Sequence, residues 1–269
     1  MPSYVHGHSA TTLAAHQSRS ASSCCAYFLP LLEKRPSSRI LDVGCGPGTI
    51  TATLAPLVPR GEVTGVDFSP EAIKAASTQA SLPPNCSFQT ASIDTGLPFP
   101  DNSFDVVHTH QVLVHLADPV GAMKEMRRVC KPGGFIASRE CDMATAVAFP
   151  DLAPLSKFHA VYDEYLRAAG SEPKGGRYLR FWALQAGFRD DQIVYTSSPL
   201  LYSGAETARW WGELQADRFG GDELVEKLTS KGLGTKEDVE IYRKAWLEWG
   251  EHPGAVYMMG NGEVVCWKS

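Results

Sequence analysis

Short apolar runs, each followed by a stretch with helical spacing, recur along the first half of this chain. Residues 40–43 form one such run, and the segment 49–57 behind it has the pattern of a helix. The same reasoning predicts strands at 62–68, 86–91, 103–110 and 135–139, and helices at 70–81 and 119–130. Strands that alternate with helices predict an α/β fold in which helices cover a largely parallel sheet.

The pattern changes beyond Cys141. Segments 151–169 and 205–250 have helical spacing and are rich in aromatic residues. Between them the sequence predicts a helix at 177–186 and a strand at 188–199, and after them a last strand at 255–267. Aromatic residues at helical spacing usually belong to a core, so we expect only one or two of them to face a ligand.

A glycine-rich turn joins the first strand to the first helix. It follows Asp42 and places Gly44, Gly46 and Gly48 at every second position. Glycine adopts backbone angles closed to other residues and lets a ligand lie directly on the main chain. The dinucleotide-binding fingerprint would require glycine or alanine where this chain has Thr49, which weakens a pyrophosphate interpretation.

A second acid, Asp67, ends the second predicted strand, where folds of this kind hold ribose hydroxyls. Asp42, the glycine turn, Asp67 and the strand at 104–107 together resemble the class I, Rossmann-like S-adenosylmethionine (SAM) methyltransferases. The resemblance is to the group related to the ubiquinone and menaquinone biosynthesis C-methyltransferases. It implies a three-layer sandwich with a seven-stranded, mostly parallel sheet, an antiparallel last strand and helical lid insertions.

The resemblance implies SAM as the cofactor and methyl transfer to a small organic acceptor in an apolar pocket covered by the lid. The residues that it assigns to the cofactor are Arg19, Asp42, Gly44, Cys45, Gly46, Gly48, Asp67, Phe68, Ser69, Ser92, Ile93, His110 and Gln111. Members of the family often have an acid where this chain has Ser92. The adenine could therefore be held by main chain and packing, or by Asp94 one turn further on.

The same resemblance divides the chain into three parts. Residues 1–23 resemble a leader that folds over the cofactor, residues 24–145 form the SAM-binding half, and residues 146–269 hold the rest. The last part combines core elements at about 175–200 and 255–269 with lid helices at about 151–169 and 205–250. Arg19, in the leader, could clamp the carboxylate of SAM in bidentate fashion, or it could be a surface arginine.

Methyl transfer from a sulfonium needs mainly a nucleophile held in line with the S–C bond, at about 3–3.5 Å. An acceptor that must lose a proton would use a group that titrates near neutrality, and histidine is the obvious candidate. The catalytic candidates are His110, His115 and Glu140. His110 could contact SAM or simply pack, His115 fits a structural helix-start position better than a catalytic one, and Glu140 and Asp142 could face the acceptor or be loop acids.

Composition limits the partners. The 269 residues carry a formal net charge of −5 without a block of like charges, so we expect neither nucleic acid nor a membrane surface as a partner. No signal peptide or apolar run of membrane-spanning length is evident, which predicts a cytoplasmic protein; the oligomeric state is not indicated.

Metal and thiol chemistry are not expected. The seven cysteines form no C-x-x-C pair, and Cys45 is best explained as a small side chain within the turn. Two H-x-H pairs, at 6–8 and 108–110, lack carboxylates at matching spacing, so no metal site is predicted.

Two other functions are alternatives to methyl transfer. A protein of the same fold could bind SAM or a small molecule and steer or isomerise it without transferring a methyl group, because fold does not fix reaction. A nicotinamide oxidoreductase is disfavoured by Thr49 and by the antiparallel last strand. The intact acids and glycine turn favour the methyltransferase.

Overall fold

A computed structural model describes residues 19–269, and the first 18 residues of the predicted N-terminal arm lie outside the described residues. The described chain divides into two compact units. The first, called the sheet unit, comprises residues 19–140, 175–197 and 262–269; the second, called the helical unit, comprises residues 141–174 and 198–261. Within residues 19–269, no helix combines the length and apolar character that a bilayer crossing requires.

The sheet runs in the order β3-β2-β1-β4-β5-β8, and β7 also pairs with β8. Its strands are β1 (Arg39–Val43), β2 (Glu62–Asp67), β3 (Cys86–Thr90), β4 (Phe104–His110), β5 (Cys130–Cys141), β7 (Ile193–Ser203) and β8 (Val256–Trp267). The pairs among β1 to β5 are parallel. Strand β8 runs antiparallel: the Gly133 N–H donates to the carbonyl of Lys268 at 2.7 Å, and the Lys268 N–H donates to Gly134 at 2.9 Å. This is the predicted Rossmann-like fold.

Strand alternation gives the sheet two apolar faces. Leu41, Val107 and Ile136 are aligned across three strands and point to one face, and the residues just before them, Ile40, Val106 and Phe135, point to the other. The helices of this unit are α1 (Ala21–Cys24), α2 (Leu29–Leu32), α3 (Thr49–Leu54), α4 (Pro70–Ser77), α5 (Pro119–Val129) and α7 (Gly175–Gln185). Helices α5 and α7 cover the first face, and α1, α2 and α3 cover the second.

The helical unit has an aromatic core. Its elements are β6 (Val147–Phe149), α6 (Ala153–Ala168), α8 (Ala205–Phe219), α9 (Asp222–Thr229) and α10 (Lys236–Glu251). Its buried aromatic side chains are Phe158, Tyr162, Tyr165, Trp211, Phe219, Tyr242, Trp246, Trp249 and Tyr257, which we call the aromatic cluster. Most of these residues are therefore core, as expected from their spacing. Helices α8 and α10 come so close at Gly212 that a β-carbon there would lie 3.0 Å from the Cα of Gly250.

One sequence-based expectation needs correction. Strand β5, predicted at 135–139, begins at Cys130, because residues 133–134 pair with Lys268 next to the last strand. The segment 205–250 is helical as predicted, and it is divided into three helices by Gly220 and Gly221 and again by Gly232 and Gly234. The short strand β6, which pairs antiparallel with Val256–Met258, was not predicted.

Gly133 and Gly134 allow a test of whether β5 begins before residue 135. A β-carbon on Gly134 would lie 2.5 Å from the Asp105 carbonyl oxygen. A β-carbon on Gly133 would meet no atom, and its only cost is the left-handed φ of +75°. We expect Gly134→Ala to lower the unfolding free energy by about 2 kcal/mol or more and Gly133→Ala by about 1 kcal/mol. Urea denaturation measures both. Equal losses would mean that β5 does not pack against β4 at this point.

Candidate functional site

The glycine turn between β1 and α3 is left-handed at each of its three glycines. The φ angles are +69° at Gly44, +53° at Gly46 and +80° at Gly48. The N–H groups of Gly44 and Cys45 both donate to the carbonyl of Val66, at 2.7 and 2.9 Å, which ties the turn to the neighbouring strand β2. Only glycine takes such angles without strain, so the spacing noticed in the sequence is a backbone requirement.

Asp67 closes the turn from the end of β2. One carboxylate oxygen accepts the Gly46 N–H at 2.9 Å and the other accepts the Ser69 N–H at 2.9 Å. A carboxylate has about four lone-pair sites, more than two backbone bonds occupy. Phe68, the next residue, is 46% exposed, which is high for an aromatic ring. Ser69 caps α4 by accepting the Ala72 N–H.

Asp42 lies beneath the turn. Its side chain is buried, and its two oxygens accept the Thr51 hydroxyl at 2.6 Å and the His108 Nδ1–H at 2.8 Å. The sequence assigned Asp42 to the cofactor, and the structure shows both of its oxygens engaged by side chains of α3 and β4. Asp42 therefore supports the turn from inside the protein.

The end of β4 carries an unusual backbone conformation. Gln111 has a φ of +58°, one of two non-glycine residues in the described chain with a positive φ, and its N–H donates to the Arg139 carbonyl at 2.9 Å. Such a conformation costs about 1–2 kcal/mol for a residue other than glycine, and it is often found at functional sites. His110, immediately before it, is 8% exposed.

Glu140 is not a loop acid. The sequence placed it beyond the fifth strand as a catalytic candidate or a loop acid, but it lies within β5 and is fully buried. Its carboxylate accepts three backbone N–H groups, from Val112 at 3.1 Å, Leu113 at 2.9 Å and Val114 at 3.4 Å. Its role is to hold the turn after β4.

Burial raises the pKa of Glu140 to about 7, in opposition to these three N–H donors and the positive charge of Arg19. Arg19 is thus close enough to Glu140 to act on it electrostatically, and it is partly buried. The first described residue of the chain therefore lies in the neighbourhood of the turn after β4.

The remaining candidate residues make ordinary structural contacts. The His115 N–H donates to Val112 at 2.9 Å within the 3-10 turn Leu113–His115, which agrees with a structural role. Ser92 caps the turn Ile93–Thr95 by accepting the Asp94 N–H at 3.3 Å, and Ile93 is buried. Burial raises the pKa of the Cys45 thiol, in keeping with a packing role. In the helical unit, the Asp142 N–H donates to Gly260.

Sequence reasoning missed two buried polar pairs. Residue 108 entered the sequence analysis only as part of an H-x-H pair, yet His108 is fully buried against Asp42. Arg139 Nε lies 3.2 Å from Glu263 on β8, and the other Glu263 oxygen accepts the Thr196 hydroxyl. Strand alternation was the available signal for His108, but nothing local pairs residues 139 and 263. Residues 19–269 contain no group of three or more His, Cys, Asp or Glu side chains placed to hold a metal ion.

The contact between the glycine turn and the turn after β4 is testable. A β-carbon on Gly44 would overlap the side chain of Val112. We expect Gly44→Ala to lower the unfolding free energy by about 2 kcal/mol or more. In the Gly44→Ala, Val112→Ala double variant about 1 kcal/mol should be regained relative to additivity. Strictly additive losses in a double-mutant cycle would show that the two turns do not touch.

The buried Glu140 predicts a pH dependence of stability. Its pKa in the folded protein is raised, so the folded state binds the proton more tightly, and this contribution is lost as pH rises from about 4 through about 7. The difference in unfolding free energy between wild type and Glu140→Gln should fall by on the order of 3 kcal/mol across this range. Chemical denaturation at several pH values measures it. A difference that stays constant or grows with pH would contradict the expectation.

Comparisons with known proteins place this geometry in a family. Residues 34–181 match the family model described as "Methyltransferase domain". An uncharacterized methyltransferase of Schizosaccharomyces pombe is 36% identical over 97% of this chain and 95% of its own length. A demethylmenaquinone methyltransferase of Staphylococcus aureus is 37% identical over 45% of this chain and 50% of its own length.

Among solved structures, the YcgJ protein from Bacillus subtilis has a TM-score of 0.55 at 21% sequence identity, and the match covers 91% of this chain and 99% of that one. This likeness supports the fold. The similarity to the yeast protein spans nearly the whole of both chains, and the family model covers more than half of this one. The chain belongs to the methyltransferase domain family and is a class I, SAM-dependent methyltransferase.

Proposed function

We propose that this methyltransferase holds SAM on the glycine turn and transfers its methyl group to a small organic acceptor. The observation that carries the proposal is the turn itself, in which three left-handed glycines lie next to the Asp67 carboxylate. The main chain is bare of side chains at Gly44, Gly46 and Gly48, so a ligand can approach the backbone closely.

The residues present fit the cofactor. The two ribose hydroxyls need a paired acceptor, and the Asp67 carboxylate offers two oxygens at the end of β2, beside the glycine turn. Phe68 presents an exposed aromatic ring directly after it, suited to an adenine base. For the adenine edge we keep Ser92, Ile93 and Asp94 as candidates, and for the cofactor carboxylate Arg19. The bound cofactor would supply the electrophilic methyl group.

Among the catalytic candidates we propose His110 as the residue that receives a proton from the acceptor. It ends a central parallel strand, at the sheet edge where open α/β folds bind ligands. We propose that His115 and Gln111 shape the same segment, and the fully buried Glu140 holds it in place. This arrangement needs only one titrating side chain near the acceptor, as methyl transfer depends chiefly on alignment.

We propose an uncharged organic acceptor in an apolar pocket, as the family resemblance implies. The helical unit, which is the predicted lid, has an apolar interior. In that interior His159 lies beside the aromatic cluster, with its ring 5.9 Å from Trp246 and 5.8 Å from Tyr257, and burial lowers its pKa to about 4. The imidazole is therefore neutral at physiological pH and adds no charge to this interior. A lid of this kind supports an uncharged acceptor better than a charged one.

The cofactor assignment is tested with S-adenosylhomocysteine. Asp67→Asn replaces one oxygen by an amide nitrogen that cannot accept, so calorimetry should show at least a tenfold weaker affinity. Asp105→Asn is the matched control: Asp105 accepts the Arg39 N–H at the start of β4, remote from the glycine turn along the strands. It should bind within about threefold of wild type. Equal losses in both variants, or none in Asp67→Asn, would contradict the assignment.

Methyl transfer itself is tested with SAM carrying a labelled methyl group and a panel of uncharged aromatic hydroxyl, thiol and activated-carbon acceptors. Label should appear in at least one acceptor, and His110→Ala should slow the transfer about 100-fold or more while SAM still binds. Tight SAM binding without transfer to any acceptor in a broad panel would favour a steering or isomerising role instead.

A further inference from the structure

A chain of buried polar contacts runs beneath the glycine turn. The Thr51 hydroxyl on α3 donates to Asp42, Asp42 accepts from His108 Nδ1, and His108 Nε2 lies 3.5 Å from the Cys25 sulfur. Thr51, His108 and Cys25 are fully buried, and Asp42 is 2% exposed. The chain links the segment after α1, strands β4 and β1, and the helix that the glycine turn opens. We call it the polar relay.

Every member of the polar relay has a defined hydrogen-bonding role. A carboxylate oxygen accepts, so His108 Nδ1 donates to Asp42. With the proton on Nδ1, the ring offers Nε2 to the Cys25 S–H, and burial raises the pKa of that thiol. A buried network in which each group is satisfied is rigid and fixes one arrangement of the segments that it joins.

A second contact joins the same two segments. The Ala21 N–H, at the start of α1, donates to the Thr53 hydroxyl on α3 at 2.8 Å. Helix α3 is thus attached to the N-terminal segment at Thr53 and, through Asp42, at Thr51. Since α3 begins directly after Gly48, any change in its position also moves the glycine turn.

We propose that His108 is a positioning residue for cofactor binding. It orients Asp42, so that α3 and the glycine turn keep the conformation that binds SAM. Through its contact with Cys25, this conformation also depends on the position of α1. This inference rests on the cofactor site proposed above. His108 is fully buried beneath the turn. Because apolar residues in place of both His108 and Asp42 could fill the same space at little or no cost in stability, orientation is what the buried pair contributes.

The test compares His108→Leu, which removes the ring nitrogens, with His108→Asn, whose amide can still donate to Asp42. S-adenosylhomocysteine affinity should fall at least tenfold in His108→Leu and stay within about threefold of wild type in His108→Asn. Thr109→Val is the matched control: it removes a buried hydroxyl that donates to Ser138 at 2.8 Å on the opposite face of the same strand. It should lose stability without losing affinity.

Milder variants keep the test decisive if His108→Leu fails to fold. Thr51→Val and Cys25→Ala each remove one end of the relay, and Thr51→Ser and Cys25→Ser each keep a hydroxyl donor there. We expect affinity losses of about three- to tenfold in the first two, with recovery in the serine variants. Losses that are not recovered by serine would reflect packing alone and would overturn the proposal.

A readout in the free protein separates this proposal from the cofactor assignment. Amide hydrogen exchange at residues 44–46 should speed up at least tenfold in His108→Leu, or in Thr51→Val, while β3 residues 87–89 exchange as in wild type. If the wild type failed to bind S-adenosylhomocysteine, the cofactor site would be wrong, and this exchange difference would still report on the relay. Unchanged exchange at 44–46 would overturn the positioning role.

Discussion

Two carboxylates hold the glycine turn, one from beneath and one from the side. Asp42 is fixed by the donors of Thr51 and His108, and Asp67 accepts the N–H of Gly46 within the turn. Both acids lie at the carboxyl ends of parallel strands that are next to each other, so the topology of the sheet brings them to one edge. The glycine turn is therefore a product of strand order as much as of its glycines.

The turn after β4 depends on the same edge. Its backbone has a left-handed residue at Gln111, followed by three N–H groups that converge on the Glu140 carboxylate. A buried acid with backbone donors is costly to desolvate and is stabilised only while the turn keeps its shape. The strain at Gln111 and the burial of Glu140 are thus two parts of one local arrangement, with His110 directly before it.

The parts of this site that sequence reasoning predicted are those with local causes. The left-handed conformations of the glycines are a property of the turn itself, so their spacing was informative. Glu140 was misplaced because its partners lie 26–28 residues away and meet it only through strand pairing. The length of β5 was underestimated for the same reason, since its first residues pair beside Lys268. Non-local hydrogen bonds leave no periodic signal in a sequence.

The close contact of α8 and α10 at Gly212 and Gly250 has a consequence for how relatives of this protein can diverge. No side chain larger than hydrogen fits at Gly212, and the facing sides of both helices are committed to that contact. Substitutions that change the surface of these helices must therefore lie elsewhere on them, such as at the exposed Trp210 and Ile241, where they leave the contact intact. The contact makes the helical unit a fixed frame on which selection can vary the surface.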